Sequence, residues 1–256
     1  MTAETQGFLI VSDVVRGYGG VRAVDGASFE AKRGRVTGLI GPNGAGKSTL
    51  IGIIGGQIKA AAGSILFEGD EVMGQAPHKV ARRGIIRTFQ LSAEFTHLTV
   101  LENLLVAAQE QRGESLVGAE LGRAYWGRSE NALVSEARDV LDRFSMASKE
   151  TELAGNLSGG QKRLLEIMRA LMARPKLLLL DEPFAGVNPT LARSIEERLL
   201  ELRDEGLSMI MVEHELGVVE RLCDPVLVMA RGKVIAEGSM HDVGARREVL
   251  DAYLVG

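Results

Sequence analysis

Cysteine is almost missing from the 256-residue chain, in which Cys223 is the only one. An internal disulfide is therefore excluded, and such cysteine usage is typical of a reducing compartment. Within Leu222-Cys223-Asp224-Pro225 we expect a buried small side chain rather than a nucleophile, because free cysteine is among the most buried residue types.

Long hydrophobic runs are also missing. Apolar runs such as Leu177–Leu180 stay far below the ~18 residues that a membrane span needs. Residues 1–7 lack a basic segment followed by an apolar one, so we expect no signal peptide. If the chain serves a membrane process, another chain must supply the membrane part.

The chain also lacks an excess of positive charge. The formal net charge is −4 and the pI is about 5.7, so we expect no nucleic-acid partner. Hydrophobic residues make up 45% and charged residues 25%, which is ordinary for a globular protein with a sizeable core. The length favours one large or two small domains, and the sequence shows no internal repeat or low-complexity segment.

The alternation of apolar and glycine-rich segments predicts an α/β core. The predicted strands are Leu9–Val11, Ala27–Glu30, Val36–Ile40, Ser64–Phe67, Leu177–Leu180, Ser208–Val212, Val226–Met229 and Lys233–Glu237. The predicted helices are Lys47–Ile54, Gln161–Ala173 and Pro189–Glu205, so residues 1–90 contain one helix. Strands that alternate with helices favour a parallel sheet.

The middle of the chain has a different pattern. Val100–Gln111 and Leu133–Phe144 have apolar residues at helical spacing, and residues 113–128 between them are irregular and glycine-rich. We interpret residues 91–160 as a helical subdomain inserted into a core that consists of residues 1–90 and 161–256.

A glycine-rich segment between a predicted strand and a predicted helix matches the phosphate-loop pattern in full. Its residues are Gly41, Pro42, Asn43, Gly44, Ala45, Gly46, Lys47, Ser48 and Thr49. The glycines let backbone N–H groups turn inward around phosphate oxygens at a helix N-terminus. Lys47 adds a positive charge for the β- and γ-phosphates, and the Ser48 hydroxyl is a hard oxygen suited to Mg²⁺.

Two carboxylates follow the apolar strand Leu177–Leu180, whose composition predicts burial on both faces. Asp181 then lies at the carboxyl end of a parallel strand, where ligands bind in open α/β sheets. This carboxylate can reach Mg²⁺, and the next one, Glu182, can accept a proton from an attacking water. Together with the phosphate loop, the pair predicts nucleotide hydrolysis.

The pentapeptide Leu157-Ser158-Gly159-Gly160-Gln161, about twenty residues before the acidic pair, narrows the family. It resembles the signature of ABC ATPases, and the resemblance extends over essentially the whole chain. Ser158, Gly159, Gly160 and Gln161 begin a predicted helix, where a hydroxyl and exposed N–H groups form a second anion site. The resemblance implies that this site faces the γ-phosphate of ATP bound to another subunit.

The same resemblance assigns three further residues. Tyr18 matches the aromatic residue that stacks on adenine, and Gln90 matches the glutamine that meets Mg²⁺ and the attacking water. His214, after the strand Ser208–Val212, matches the switch histidine that contacts the γ-phosphate. Asn188 stands where many ABC ATPases have aspartate, and Asn188-Pro189 is also typical of a helix cap and first turn.

The resemblance implies a P-loop NTPase fold of the ABC ATPase type over residues 1–256. This α/β fold has a RecA-like core, an antiparallel β subdomain and an inserted helical subdomain. Pro183–Pro189 resembles the Ala-Gly-Leu-Asn-Pro pattern of branched-chain amino acid importer ATPases, specifically the LivG type, and so do Arg87–Gln90 and Ala252–Leu254. The departures from that group include Phe184 and Glu215.

A chain of this kind is expected to bind ATP and Mg²⁺ and to hydrolyse ATP. The implied partners are membrane permease subunits, a second ATPase subunit (a copy of this chain or a paralogue) and a substrate-binding protein. The implied location is the cytoplasmic face of the inner or plasma membrane. Related systems for urea, amides, aromatic acids or lipopolysaccharide export remain alternatives, and so does a soluble ABC ATPase outside transport.

Overall fold

A computed structural model describes residues 7–88, 95–108 and 123–255. Gln90 lies outside these ranges, as do residues 91–94 and 109–122 of the predicted helical insert. The role of Gln90 therefore stays a prediction from the sequence.

The chain divides into two units. The first comprises Met1–Arg87, Lys176–Pro183 and Leu199–Gly256, and the second comprises Thr88–Pro175 and Phe184–Arg198. The second unit is therefore larger than the predicted insert of residues 91–160. It also takes in most of the residues from 161 to 198, which the sequence analysis assigned to the core.

The described residues form ten strands. In chain order they are β1 (Leu9–Tyr18), β2 (Val21–Ala31), β3 (Val36–Ile40), β4 (Ala62–Phe67), β5 (Asp70–Glu71), β6 (Ile85–Arg87), β7 (Leu177–Asp181), β8 (Ser208–Val212), β9 (Val226–Ala230) and β10 (Lys233–Gly238). The same residues form nine α-helices. They are α1 (Lys47–Ile54), α2 (Pro77–Arg82), α3 (Val100–Ala107), α4 (Arg123–Arg143), α5 (Gly159–Met172), α6 (Pro189–Asp204), α7 (Leu216–Leu222), α8 (Met240–Gly244) and α9 (Arg247–Val255).

Both sheets belong to the first unit. The smaller sheet has the order β2-β1-β4-β5 with antiparallel pairing throughout. The larger has the order β10-β9-β3-β8-β7-β6, in which only the β9–β10 pair is antiparallel. Every residue of β3, β7, β8 and β9 is buried, which explains why their sequences are largely apolar.

Two predictions about secondary structure were wrong. Residues 1–90 contain a second helix, α2, in which Val80 is the buried residue, so no apolar periodicity marked it. Residues 113–128 are not irregular throughout, because α4 already begins at Arg123. The first turns of α4 contain Trp126 and Gly127 and lack the apolar spacing that identified its later part.

The apolar core of the first unit joins both sheets to α1. Leu50, Ile51 and Ile54 of α1 are almost fully buried in this cluster, and Phe8 contacts Phe67 edge to face at 5.0 Å between ring centroids. An edge-to-face contact between aromatic rings stabilises the fold beyond what the burial of their apolar surface contributes.

The expectation for Cys223 is confirmed, since its side chain is buried. Burial, and secondarily the charge of Glu213, raises the pKa of the Cys223 thiol to about 12. Within the described ranges, none of the helices combines the length and apolar character that crossing a bilayer requires.

We expect Leu179→Ala to lower the free energy of unfolding by about 2–5 kcal/mol, because it leaves a cavity in the fully buried strand β7. Urea unfolding followed by circular dichroism measures this loss. Leu254→Ala is the matched control, since Leu254 is exposed, and should change stability by less than ~0.5 kcal/mol. Equal losses in the two variants would contradict the placement of β7 in the core.

Candidate functional site

Three adjacent parallel strands end at the same edge of the larger sheet. In the register of β3, β8 and β7, Val212 lies opposite both Leu39 and Asp181. The chain therefore leaves the sheet there at three neighbouring points: into the glycine loop, into the turn with His214, and into the turn with Glu182. Such an edge is the usual place for ligands in open α/β sheets.

Glycine is required at two positions of the loop between β3 and α1. Gly41 and Gly46 have positive φ values of 147° and 100°. A Cβ atom at Gly41 would lie 2.0 Å from the carbonyl oxygen of Met229, and one at Gly46 would lie 2.1 Å from that of Ala23. Substitution at either position would therefore force the loop open.

The rest of the loop is tied to itself and to the turn between β9 and β10. The Ala45 N–H donates to the Pro42 carbonyl at 3.2 Å, and the Gly232 N–H donates to the Ala45 carbonyl at 3.0 Å. Asn43 and Gly44 are exposed at the tip, whereas Thr49 lies within α1. Backbone hydrogen bonds thus help to hold the loop in shape.

Lys47 is buried, and its ammonium donates to the carbonyls of Gly41 and Pro42 at 2.8 and 3.0 Å. Burial lowers the pKa of Lys47, while the charges of Glu182 and Asp181 act in the opposite direction. No side chain caps the N-terminus of α1 at Gly46. The first N–H groups of this helix are therefore available to an anion beside the ammonium.

Asp181 is buried at the end of β7, with a different partner for each carboxylate oxygen. Its Oδ1 lies 3.5 Å from Ser48 Oγ, and its Oδ2 accepts a hydrogen bond from Arg87 Nη2 at 2.8 Å. The sequence analysis did not place Arg87 in the site. Its only signal in the sequence was its place in Arg87–Gln90, a segment that resembles the importer ATPases.

The donor set at Ser48 and Asp181 fits Mg²⁺. Both groups offer hard oxygen atoms, and Mg²⁺ bound beside a nucleotide usually takes one or two protein oxygens together with phosphate oxygens and waters. Among the described residues, no group of three or more His, Cys, Asp or Glu side chains could hold a metal ion by itself. A cation here would depend on the bound phosphates for its remaining ligands.

Glu182 and His214 are in contact. Glu182 Oε1 lies 3.0 Å from His214 Nε2, and the Glu182 N–H donates to the Val212 carbonyl at 2.9 Å. The φ of Glu182 is +50°, a left-handed conformation that is uncommon for a residue other than glycine. The bonded turn maintains this conformation, which brings the carboxylate to the histidine.

Tyr18 ends β1 and is half-exposed. The guanidinium carbon of Arg16 lies 4.6 Å from the centroid of its ring. The ring is therefore accessible and carries a cation–π contact, while its stacking on adenine stays a prediction from the resemblance.

The residues Ser158–Gln161 belong to the second unit, at the start of α5. Ser158 Oγ accepts from the Gln161 N–H at 3.4 Å, and Gln161 Oε1 accepts from the Ser158 N–H at 2.9 Å, which forms a capping box. A Cβ at Gly160 would lie 2.6 Å from Leu191 Cδ2, whereas Gly159 has open space around it. The exposed turn therefore presents the Ser158 hydroxyl and the backbone at Gly159, where the space beside the glycine is open.

Asn188 caps α6 as the sequence indicated, since its Oδ1 accepts from the Leu191 N–H at 3.0 Å. An amide is sufficient for this cap, so the local fold does not need the aspartate found in many ABC ATPases.

Comparisons with known proteins agree with this arrangement. The family described as ABC transporter matches residues 24–185. A protein of Archaeoglobus fulgidus named as the probable branched-chain amino acid transport ATP-binding protein LivG is 41% identical, over 93% of this chain and 91% of its own. BraF of Pseudomonas aeruginosa, named as a high-affinity branched-chain amino acid transport ATP-binding protein, is 34% identical over 96% of this chain and 97% of its own.

Solved structures give the same answer for the fold. An ATP-binding cassette of an ABC transporter in its ADP conformation has a TM-score of 0.84 and 37% identity, covering 98% of this chain and 100% of that one. A nucleotide-free cassette also has a TM-score of 0.84 at 37% identity, covering 97% of this chain and 99% of that one. The chain therefore belongs to the ABC transporter family, as an ATP-binding subunit that hydrolyses ATP and works with membrane permease components.

Proposed function

We propose that this chain energises the uptake of branched-chain amino acids or related small polar solutes. The named branched-chain transport relatives from an archaeon and a bacterium, which align over nearly the whole chain, support this cargo. The segment Pro183–Pro189, with its Ala-Gly-Val-Asn-Pro sequence, supports the same group. The chain would act at the cytoplasmic face of the membrane with permease subunits and a substrate-binding protein.

The observation that carries the ATPase mechanism is the meeting of Lys47, Asp181 and Glu182 at one edge of the sheet. The loop N–H groups and the Lys47 ammonium would hold the β- and γ-phosphates, and adenine would stack on Tyr18. Ser48 and Asp181 would hold Mg²⁺, which when bound neutralises charge on the phosphate oxygens. Gln90 is assigned to the same cation and to the attacking water by resemblance.

We assign the role of proton acceptor to Glu182. Its carboxylate would accept a proton from the water that attacks the γ-phosphate, as a general base. His214, 3.0 Å away, would hold this carboxylate in place and reach the γ-phosphate. The left-handed turn at Glu182 supports a functional role, because strained backbone conformations cluster at active sites.

The second anion site at Ser158–Gln161 supports a dimeric mechanism. Its hydroxyl and glycine N–H groups would bind the γ-phosphate of ATP held by a second ATPase subunit, either another copy or a paralogue. ATP would then hold two subunits together until hydrolysis removes the γ-phosphate.

Transport by the reconstituted complex tests the cargo. Proteoliposomes that contain this chain, its permease subunits and its binding protein should accumulate labelled leucine in an ATP-dependent manner. The same preparation should take up labelled urea far more slowly. Uptake of urea or an aromatic acid without uptake of leucine would contradict branched-chain amino acids as the cargo while leaving the ATPase mechanism intact.

Glu182→Gln should slow ATP hydrolysis by roughly 10²–10⁴-fold, because the amide keeps the shape but not the basicity of the carboxylate. ATP binding should persist, since a negative charge near the γ-phosphate is removed. Phosphate release measures turnover, and size-exclusion chromatography should show a dimer with ATP and Mg²⁺ but not with ADP. Glu215→Gln, an exposed carboxylate nearby, is the control. Turnover of Glu182→Gln close to wild type would reassign the base to Gln90 or His214.

Ser158→Arg should abolish hydrolysis while the monomer still binds ATP, because the bulky cation would block the site for the second subunit's nucleotide. Lys47→Ala should instead lose binding and hydrolysis together, since it removes the buried charge of the phosphate loop. Calorimetry of ATP binding and a phosphate-release assay distinguish the two variants. Equal loss of ATP binding in both would refute the shared site.

A further inference from the structure

We propose that Arg87 is a positioning residue for the divalent cation that accompanies ATP. It holds one oxygen of Asp181 so that the other oxygen stays turned towards Ser48. This inference rests on the proposed cation site at Ser48 and Asp181, and it assigns to Arg87 a role that acts through Asp181.

The contacts of the Asp181 carboxylate separate its two oxygens. Oδ2 is taken by Arg87 Nη2 at 2.8 Å, whereas Oδ1 faces the Ser48 hydroxyl at 3.5 Å. A carboxylate with one oxygen fixed in this way cannot rotate freely. Groups that fix the orientation of a metal ligand commonly strengthen metal binding, although they do not touch the metal.

The position of Arg87 is built into the surrounding structure. Arg87 ends β6, where it pairs with Leu179 of β7, two residues before Asp181. Its side chain is 13% exposed and that of Asp181 is 0% exposed, so water competes little with the ion pair. The two side chains therefore reach each other from neighbouring strands over a short, fixed path.

Gly52 provides the space for the guanidinium. A Cβ at this position would lie 3.1 Å from Arg87 Nη1 and 2.7 Å from Ile58 Cδ1. Glycine inside a helix is unfavourable relative to alanine, and α1 nevertheless carries it next to Ile58 and Arg87. The glycine thus leaves room for both the Ile58 side chain and the guanidinium.

The ion pair is not explained by stability alone. A buried ion pair is often no more stabilising than apolar side chains of similar volume. Arg87 Nε is buried and has no hydrogen-bond partner among the described residues, so the guanidinium is not fully satisfied where it lies. Its observed bond goes to the one carboxylate oxygen that points away from Ser48, which is the arrangement that a positioning role requires.

The effect of Mg²⁺ on nucleotide affinity tests this role without any turnover. The dissociation constant of a fluorescent β,γ-imido ATP analogue is measured for the full chain in EDTA and in excess Mg²⁺. The Mg²⁺ effect is the value in EDTA divided by the value in Mg²⁺. Arg87→Met should reduce this ratio by roughly tenfold. Arg83→Met, which removes an exposed arginine paired with Asp70, should leave it unchanged.

The other outcomes are decisive as well. An unchanged ratio in Arg87→Met would overturn the proposal, and so would an increased one, since Arg87 would then only compete with the cation. Asp181→Asn distinguishes failure of the positioning role from failure of the cation site. If Asp181→Asn lowers the ratio and Arg87→Met does not, only the role of Arg87 fails. If neither variant changes the ratio, the cation site itself fails.

Gly52→Ala keeps the test valid if Arg87→Met does not fold. It preserves every charge but crowds Ile58 Cδ1 at 2.7 Å and Arg87 Nη1 at 3.1 Å, which displaces the guanidinium, so the Mg²⁺ effect should fall several-fold. An Mg²⁺ effect equal to that of the wild type in Gly52→Ala would overturn the proposal in that case.

Discussion

The parallel pairing of β8 with β3 on one side and with β7 on the other is the constraint on which the site depends. It places Lys47, Asp181 and His214, which are far apart in sequence, at one edge of one sheet. None of the three strands has an exposed residue, so the pairing is fixed by burial on both faces. Apolar packing thereby determines the spacing of the charged groups at this edge.

The charged side chains at this edge have partners within the protein. The Lys47 ammonium is bonded to carbonyl oxygens of its own loop, and the Asp181 carboxylate is bonded to Arg87. Incoming phosphates therefore meet a site with its dipoles and charges already oriented. Such preorganisation reduces the rearrangement needed when charge develops on the phosphate oxygens.

The sequence was most informative where one physical rule dominated. The buried strands β3, β7 and β8 were found because short, largely apolar segments bounded by glycine or charged residues favour buried strands, and α1 was bounded by its glycines. Helix α2 was missed because a short helix with one buried residue has no visible period. The pairing of Arg87 with Asp181 depends on the order of strands β6 and β7 in the sheet, which local pattern does not report. The left-handed turn at Glu182 is likewise invisible in the sequence, since glutamate gives no sign of a positive φ.

The single buried thiol makes the chain suitable for site-specific labelling. With a pKa of about 12, Cys223 carries almost no thiolate at neutral pH, and its burial keeps reagents away. A maleimide or a nitroxide reagent would therefore react with a cysteine introduced at the surface and leave the native one intact. Distance measurements by fluorescence or electron spin resonance could then follow the ATPase cycle in an otherwise unaltered sequence.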